Sequence, residues 1–98
     1  MAPEISVCLP VLNGSRLLGR AVESVLTQSF QDWELVISDN CSTDETSQIA
    51  ASYRDPRIRV FRSSKRLDMG RNFASCLSWT RGKWVLFLSH DDLLLPTL

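Results

Sequence analysis

Two polar clusters about fifty positions apart hold the residue types in this sequence that could do chemistry. The later is Ser89-His90-Asp91-Asp92, where two adjacent carboxylates follow the apolar run Val85-Leu86-Phe87-Leu88. Neighbouring carboxylates suit a hard divalent cation. The earlier is Asp39-Asn40-Cys41-Ser42-Thr43-Asp44, where a carboxylate or an amide can accept the N–H of a heterocyclic base. Between them lie Lys65, Arg66, Arg71 and Asn72, a set able to hold phosphate.

Four β-rich runs must position these clusters. Ile5–Leu9 predicts strand one, ended by Pro10, and Glu34–Ser38 predicts strand two. Ile58–Arg62 alternates apolar and basic residues, which predicts a third strand with one solvated face, near an edge. Lys83–Leu88 is continuously apolar after Lys83 and predicts a fourth strand buried on both faces. A helix is expected over Arg16–Gln28, capped by Ser15, with Leu17, Leu18, Ala21, Val22, Val25 and Leu26 as its buried stripe. Ser42 and Glu45 have capping-box spacing for a second helix over Asp44–Tyr53, which Asp55-Pro56 closes. A third is expected over Arg71–Trp79, with Phe73, Cys76 and Leu77 inward and Gly82 as a left-handed cap beyond its end.

The resulting β-α-β-α-β-α-β order with short loops predicts a mostly parallel sheet in a three-layer α/β/α arrangement. Ligands of such sheets bind beyond the carboxyl ends of the strands. Four polar segments are expected on that rim: Pro10–Asn13, Asp39–Asp44, Lys65–Asn72 and Ser89–Asp92.

Composition narrows the classes. The chain has 98 residues, 44% of them hydrophobic and 22% charged, which fits one small globular domain. Its formal net charge is zero, so nucleic acid is not an expected partner. Seven of the eleven basic residues nevertheless fall between Arg54 and Arg71, against only Asp55 and Asp68. An RNA-binding use of that cluster lacks an aromatic platform, so Arg54, Arg57, Arg59, Arg62, Lys65 and Arg66 are expected on a solvated face. Cys8, Cys41 and Cys76 form no C-x-x-C pair and are expected to be reduced thiols. Met1-Ala2-Pro3-Glu4 lacks the features of a signal peptide, and no apolar window approaches the ~18 residues of a membrane span. The expected location is cytoplasmic or peripheral to the inner face of a membrane, with attachment through another part of the protein open. Neither G-x-G-x-x-G nor G-x-x-x-x-G-K-[ST] is present, which argues against a dinucleotide-binding dehydrogenase and a P-loop NTPase.

Pro10-Val11-Leu12-Asn13, the SDNCSTDET segment at Ser38–Thr46, Met69-Gly70-Arg71-Asn72 and the FLSHDD segment at Phe87–Asp92 occur in this order and near these spacings. Together they resemble the N-terminal half of a family 2 glycosyltransferase of the GT-A fold, over essentially the whole chain from Ile5 to Pro96. The resemblance implies that residues 1–98 are a single nucleotide-diphospho-sugar-binding subdomain, a truncated GT-A fold without its acceptor-binding half. It implies a UDP-sugar donor, with thymidine and guanosine still open, and inverting transfer to the hydroxyl of a sugar, lipid-linked or protein acceptor. The implied nucleotide-binding residues are Pro10, Leu12, Asn13, Asp39, Asn40, Arg71, Asn72 and Asp91. Asp91 and Asp92 would hold Mg²⁺ or Mn²⁺, with Ser89 standing where the family's motif has its first acid.

Other roles stay open beside these. Asp39 could instead open a turn, Asn13 could brace its own loop, and Arg71 could be a surface arginine. Ser42, Thr43 and Asp44 suit helix capping, His90 and the three tryptophans suit packing, and Cys41 suits a small loop position. The general base is expected beyond Asp92. The chain alone is therefore expected to bind nucleotide weakly, to transfer no sugar, and to self-associate through an exposed sheet edge and Leu93–Leu95. A non-catalytic nucleotide-binding module is the alternative.

Overall fold

A computed structural model describes residues 2–89. His90, Asp91, Asp92 and Leu93–Leu95, with the roles expected of them, lie outside the described residues. Within them the chain runs β1 (Ile5–Val11), α1 (Leu18–Leu26), β2 (Trp33–Asp39), α2 (Thr46–Ala51), β3 (Ile58–Arg62), α3 (Met69–Ser78) and β4 (Trp84–Phe87). All strand pairs are parallel, in the spatial order β3-β2-β1-β4.

Alternation along the strands builds two cores. Val7, Leu9, Val11, Leu35 and Ile37 point to one face and pack against Leu18, Ala21, Val22 and Val25 of α1 and Ala50 of α2. Cys8 and Val36 point to the other and meet Cys76 of α3, with Phe61 and Trp79 alongside. Helices therefore cover both faces, which gives the expected three layers. The strand order makes a switch point. β1, β2 and β3 succeed one another in one direction, then α3 carries the chain back to set β4 on the free side of β1.

Several local expectations give way. β4 is an edge strand among the described residues, and Trp84 (62%), Val85 (38%) and Phe87 (40%) are exposed rather than buried. One face of β4 meets α3 at Phe73, whose ring stacks on Phe87 at 3.9 Å, so Phe73 and Leu77 also stay partly exposed. β3 is also an edge among the described residues, as its alternation implied. α1 begins at Leu18 and has no side-chain cap. The backbone N–H of Ser15 instead donates to Asp44 at 3.2 Å. No capping box forms at α2, where Ser42 Oγ accepts from the N–H of Asn13 at 3.0 Å. α3 starts two residues early, at Met69, because Asp68 caps it by accepting the Arg71 N–H at 2.8 Å.

Nor is the basic run merely solvated. Arg57 pairs with Asp55 at 2.7 Å and lies over the Trp33 ring, 3.8 Å from its centroid. Arg59 reaches Glu34 at 2.7 Å, and Arg62 reaches Asp39 at 2.7 Å.

Glu34 ties the amino end of the sheet together. Its side chain is 2% exposed and accepts from Ser6 Oγ (2.6 Å), Arg59 (2.7 Å), the Arg81 backbone N–H (2.6 Å) and the Arg81 side chain (3.1 Å). Burial alone would raise its carboxyl; these donors outweigh it and hold the carboxyl below the ordinary value. The turn that delivers Arg81 requires glycine next, for a reason other than the one expected. Gly82 has no left-handed φ. It passes so close to β1 that a Cβ would lie 2.7 Å from the Ser6 backbone nitrogen and 2.9 Å from the Ile5 carbonyl carbon. Those are backbone atoms of a central strand and cannot yield. Gly82→Ala is therefore expected to destabilise the fold by about 1–3 kcal/mol, read from the urea unfolding midpoint. An unchanged midpoint would contradict this packing.

Candidate functional site

Pro10 determines where the sheet opens. Residues of a strand direct their backbone groups alternately to the two neighbouring strands. The Cys8 carbonyl accepts from Leu88 on the β4 side at 2.8 Å, and the Val11 carbonyl accepts from Asn40 on the β2 side at 2.8 Å. Position 10 therefore faces β4 and, being proline, brings no N–H. Among the described residues the β1–β4 ladder ends at Cys8↔Phe87, while β1–β2 pairing continues through Pro10 to Val11. Strand one is thus longer than expected, and Pro10 lies within it.

Beyond that last pair is a cleft of about 530 Å³ at the switch point. Pro10, Val11 and Leu12 line one side, and Phe87, Leu88 and Ser89 the other. Leu67, Met69 and Phe73 complete an apolar wall, with Asn40 and Asn72 at its back. This is where open α/β sheets place ligands.

A polar weave joins the loops after β1 and β2. Asn13, at φ 51°, accepts the Thr43 N–H on Oδ1 at 2.8 Å. Gly14 N–H donates to Thr46 Oγ1 at 3.0 Å. Asp44 accepts from the backbone N–H groups of Ser15 (3.2 Å) and Thr46 (2.9 Å) and from the Thr46 hydroxyl. Asn13 therefore braces the rim, and does not line the cleft.

Behind the cleft, Asp39 is fully buried at the end of β2. Oδ2 receives Arg62 at 2.7 Å and Oδ1 receives the Ser42 N–H at 3.1 Å. Arg62 also donates to the Ser42 carbonyl at 2.9 Å. A carboxylate has about four lone-pair sites, so Asp39 keeps acceptor capacity while its charge is already paired. Asn72 is held by Ser38, whose hydroxyl donates to Oδ1 at 2.8 Å. Arg71 is exposed and rests on Asp68 at 3.5 Å. The start of α3 is thereby served by the protein's own carboxylate, and an anion there would compete with Asp68. Lys65 and Arg66 are exposed, and no ion pair holds either among the described residues.

Of the expected nucleotide-binding residues, Pro10, Leu12, Asn40 and Asn72 meet at the cleft. Asp39 lies behind it, and Asn13 and Arg71 stand outside its lining. Asp91 and Asp92 lie outside the described residues, but Ser89, two positions before Asp91, lines the cleft. Among the described residues no group of three or more His, Cys, Asp or Glu side chains gathers to hold a metal. Leu67, Phe73, Phe87 and Arg62 belong to the site without having been singled out for it. Arg62 could have been found from the alternation of β3, which puts a basic residue level with the end of β2. Cys8 and Cys76 are buried and reduced. Their mutual hydrogen bond and burial push the Cys76 thiol up, away from nucleophilic use.

A parallel sheet with helices on both faces and a cleft at its switch point matches glycosyltransferases of the GT-A fold. The chain belongs to the family described as Glycosyl transferase family 2, whose model matches residues 6–98. It is 33% identical over 96 residues to the GalNAc(5)-diNAcBac-PP-undecaprenol beta-1,3-glucosyltransferase of Campylobacter jejuni, an alignment covering 95% of this chain and 31% of that protein. The crystal structure of S. aureus TarS 1-349 in complex with UDP-GlcNAc superposes with TM-score 0.90 at 29% identity, covering 95% of this chain and 28% of that one. The mannosyltransferase PcManGT from Pyrobaculum calidifontis, in complex with GDP-Man and Mn²⁺, superposes with TM-score 0.81. Its 20% identity speaks to the fold alone. The chain spans about three tenths of the length of each of these proteins. No helix among the described residues is long and apolar enough to cross a membrane.

The weave has a pH signature. The Thr46 hydroxyl first, then backbone N–H groups of Thr46 and Ser15, lower the Asp44 carboxyl from 3.8 to about 2 against the opposing effect of burial. A group depressed on folding stabilises the fold fully above its unfolded pKa, and loses that contribution as pH falls through its folded one. Stability is therefore expected to drop between about pH 4 and pH 2, with part of the drop absent in Asp44→Asn. Urea unfolding midpoints across this range check it; an equally steep fall in the variant would contradict the assignment.

Proposed function

We propose that this chain is the donor-binding part of a glycosyltransferase that uses a nucleoside-diphosphate sugar, with UDP-sugar as the favoured class. The observation that carries the reading is the cleft at the β1/β4 switch point, where Pro10, Leu12, Asn40 and Asn72 converge in a family 2 chain. Its mainly apolar wall suits the faces of a base, with Leu12 beneath the ring. Asp39, fully buried and held by Arg62 and Ser42, would fix the end of β2 from which Asn40 reaches the cleft. TarS in complex with UDP-GlcNAc supports the uridine preference.

Asp91, with Asp92, is proposed to hold Mg²⁺ or Mn²⁺. Hard carboxylate oxygens suit either ion. The bound ion would neutralise charge on the departing diphosphate. Ser89 on the cleft wall puts the sequence leading to these acids beside the site. Lys65 and Arg66 add positive potential nearby. The general base and the acceptor site, for a sugar, lipid-linked or protein hydroxyl, are assigned to sequence beyond this span, with inversion at the anomeric carbon.

Calorimetric titration with UDP in Mn²⁺, then in EDTA, repeated on Asp91→Ala, tests this. Binding that needs Mn²⁺ and weakens at least about tenfold in the variant is expected. Binding indifferent to both EDTA and Asp91→Ala would overturn the metal assignment, and no binding of UDP, GDP or dTDP in a folded sample would overturn the donor-site reading.

A further inference from the structure

Asn40 is among the residues that the sequence suggests for nucleotide binding, through an amide able to read the base. In the structure both ends of that amide are engaged elsewhere. Its Nδ2 donates to the Leu67 carbonyl at 2.8 Å, and its Oδ1 accepts the Leu67 N–H at 2.7 Å. One side chain thus grips both backbone groups of a single residue 27 positions away, much as a neighbouring strand would. Asn40 is 3% exposed, and its own N–H is fixed to the Val11 carbonyl at 2.8 Å. The gripping group is therefore rigidly mounted on the sheet.

What it grips is a surface strap, residues 63–68, joining β3 to α3. Ser64, Lys65, Arg66 and Asp68 of the strap are exposed. Its other tethers go to the same short stretch of chain: Ser63 N–H donates to the Asp39 carbonyl at 3.0 Å, and Cys41 Sγ lies 3.9 Å from the Ser64 carbonyl. Leu67 is the strap residue that turns inward to the cleft, and Asp68, next in sequence, caps α3. The position of this wall therefore depends on Asn40. Only an amide can do both halves of the grip. A carboxylate could still accept the Leu67 N–H, but would set an oxygen against the Leu67 carbonyl oxygen.

We propose that Asn40 is a positioning residue: it latches strap 63–68 against the cleft, and nucleotide affinity depends on this latch and not on contact between Asn40 and the base. The proposal rests on the donor-site reading above. It is tested with Asn40→Asp, which keeps the shape and removes the donor, and with Asn40→Ala, which removes both bonds. Amide hydrogen exchange without nucleotide reads the latch directly. Exchange at Leu67 is expected to rise roughly fivefold or more in Asn40→Ala, with Asn40→Asp intermediate. Val7 and Leu9 in β1 should remain protected, which shows that the variants are folded. Calorimetry with UDP, GDP and dTDP should show affinity falling in the same order, by roughly fivefold or more in Asn40→Ala, with the ranking of the three nucleotides unchanged. Unchanged exchange at Leu67 in both variants would overturn the latch. A changed nucleotide ranking with Leu67 still protected would return Asn40 to base reading and overturn the proposal. Should the wild-type protein bind none of the three, the donor-site reading falls, while the exchange comparison still decides whether Asn40 holds the strap.

Discussion

A carboxylate withdrawn from water must be paired and hydrogen-bonded, or the fold will not tolerate it. β2 is buried along its whole length and carries one at each end, Glu34 and Asp39. Arginines of β3 answer both: Arg59 reaches Glu34, and Arg62 reaches Asp39. The two ends differ in what else they recruit. Glu34 also draws in Ser6 and Arg81, which closes the amino edge of the sheet over Gly82. Among the described residues, the Asp39 carboxylate recruits only Ser42 besides Arg62. Its loop is left at the rim of the cleft. The same device thus closes one end of the sheet and leaves the other end open.

The cleft follows from two further constraints. Returning the chain from β3 to the far side of β1 creates a switch point, and Pro10 withholds the N–H that would have continued the β1–β4 ladder. Among the described residues the β1–β4 pairing stops there, and the cleft lies beyond it. The loops around the opening are held by side-chain bonds to backbone from Asn13, Asp44 and Asn40. A rim assembled this way is formed before any ligand arrives, which lowers the ordering cost of binding.

Much of this was readable in the sequence, for identifiable reasons. The strands were, because short apolar runs bounded by turn residues have few other uses. The parallel topology followed from their alternation with helices, and the rim segments followed from the topology. What failed was whatever depended on which partner a polar group would choose. Ser15 and Ser42 carry capping chemistry, yet tertiary bonds to Asp44 and Asn13 claimed their neighbourhoods instead. The arginines of β3 looked solvated because the acids they meet lie some twenty-five positions earlier, on another strand. The bonds from Asn40 to Leu67 were not readable, because nothing in a linear sequence places Leu67 against it. β4 looked fully buried because its composition suits burial, whereas among the described residues it lies at an edge. Gly82 was singled out correctly for the wrong physics: close approach to β1 and not a left-handed turn.

The central claim is that the carboxyl edge of the sheet, at the β1/β4 opening, receives a nucleoside diphosphate. The most direct measurement is a titration of the isotopically labelled protein with UDP and Mg²⁺, followed by backbone amide shifts. Saturable shifts concentrated at Leu12, Asn40, Leu67 and Asn72, with the amino-edge residues Ser6, Glu34 and Gly82 undisturbed, are required if the cleft is the donor site. Shifts centred on the amino edge or on the outer faces of α1 and α2, with the cleft silent, would contradict it.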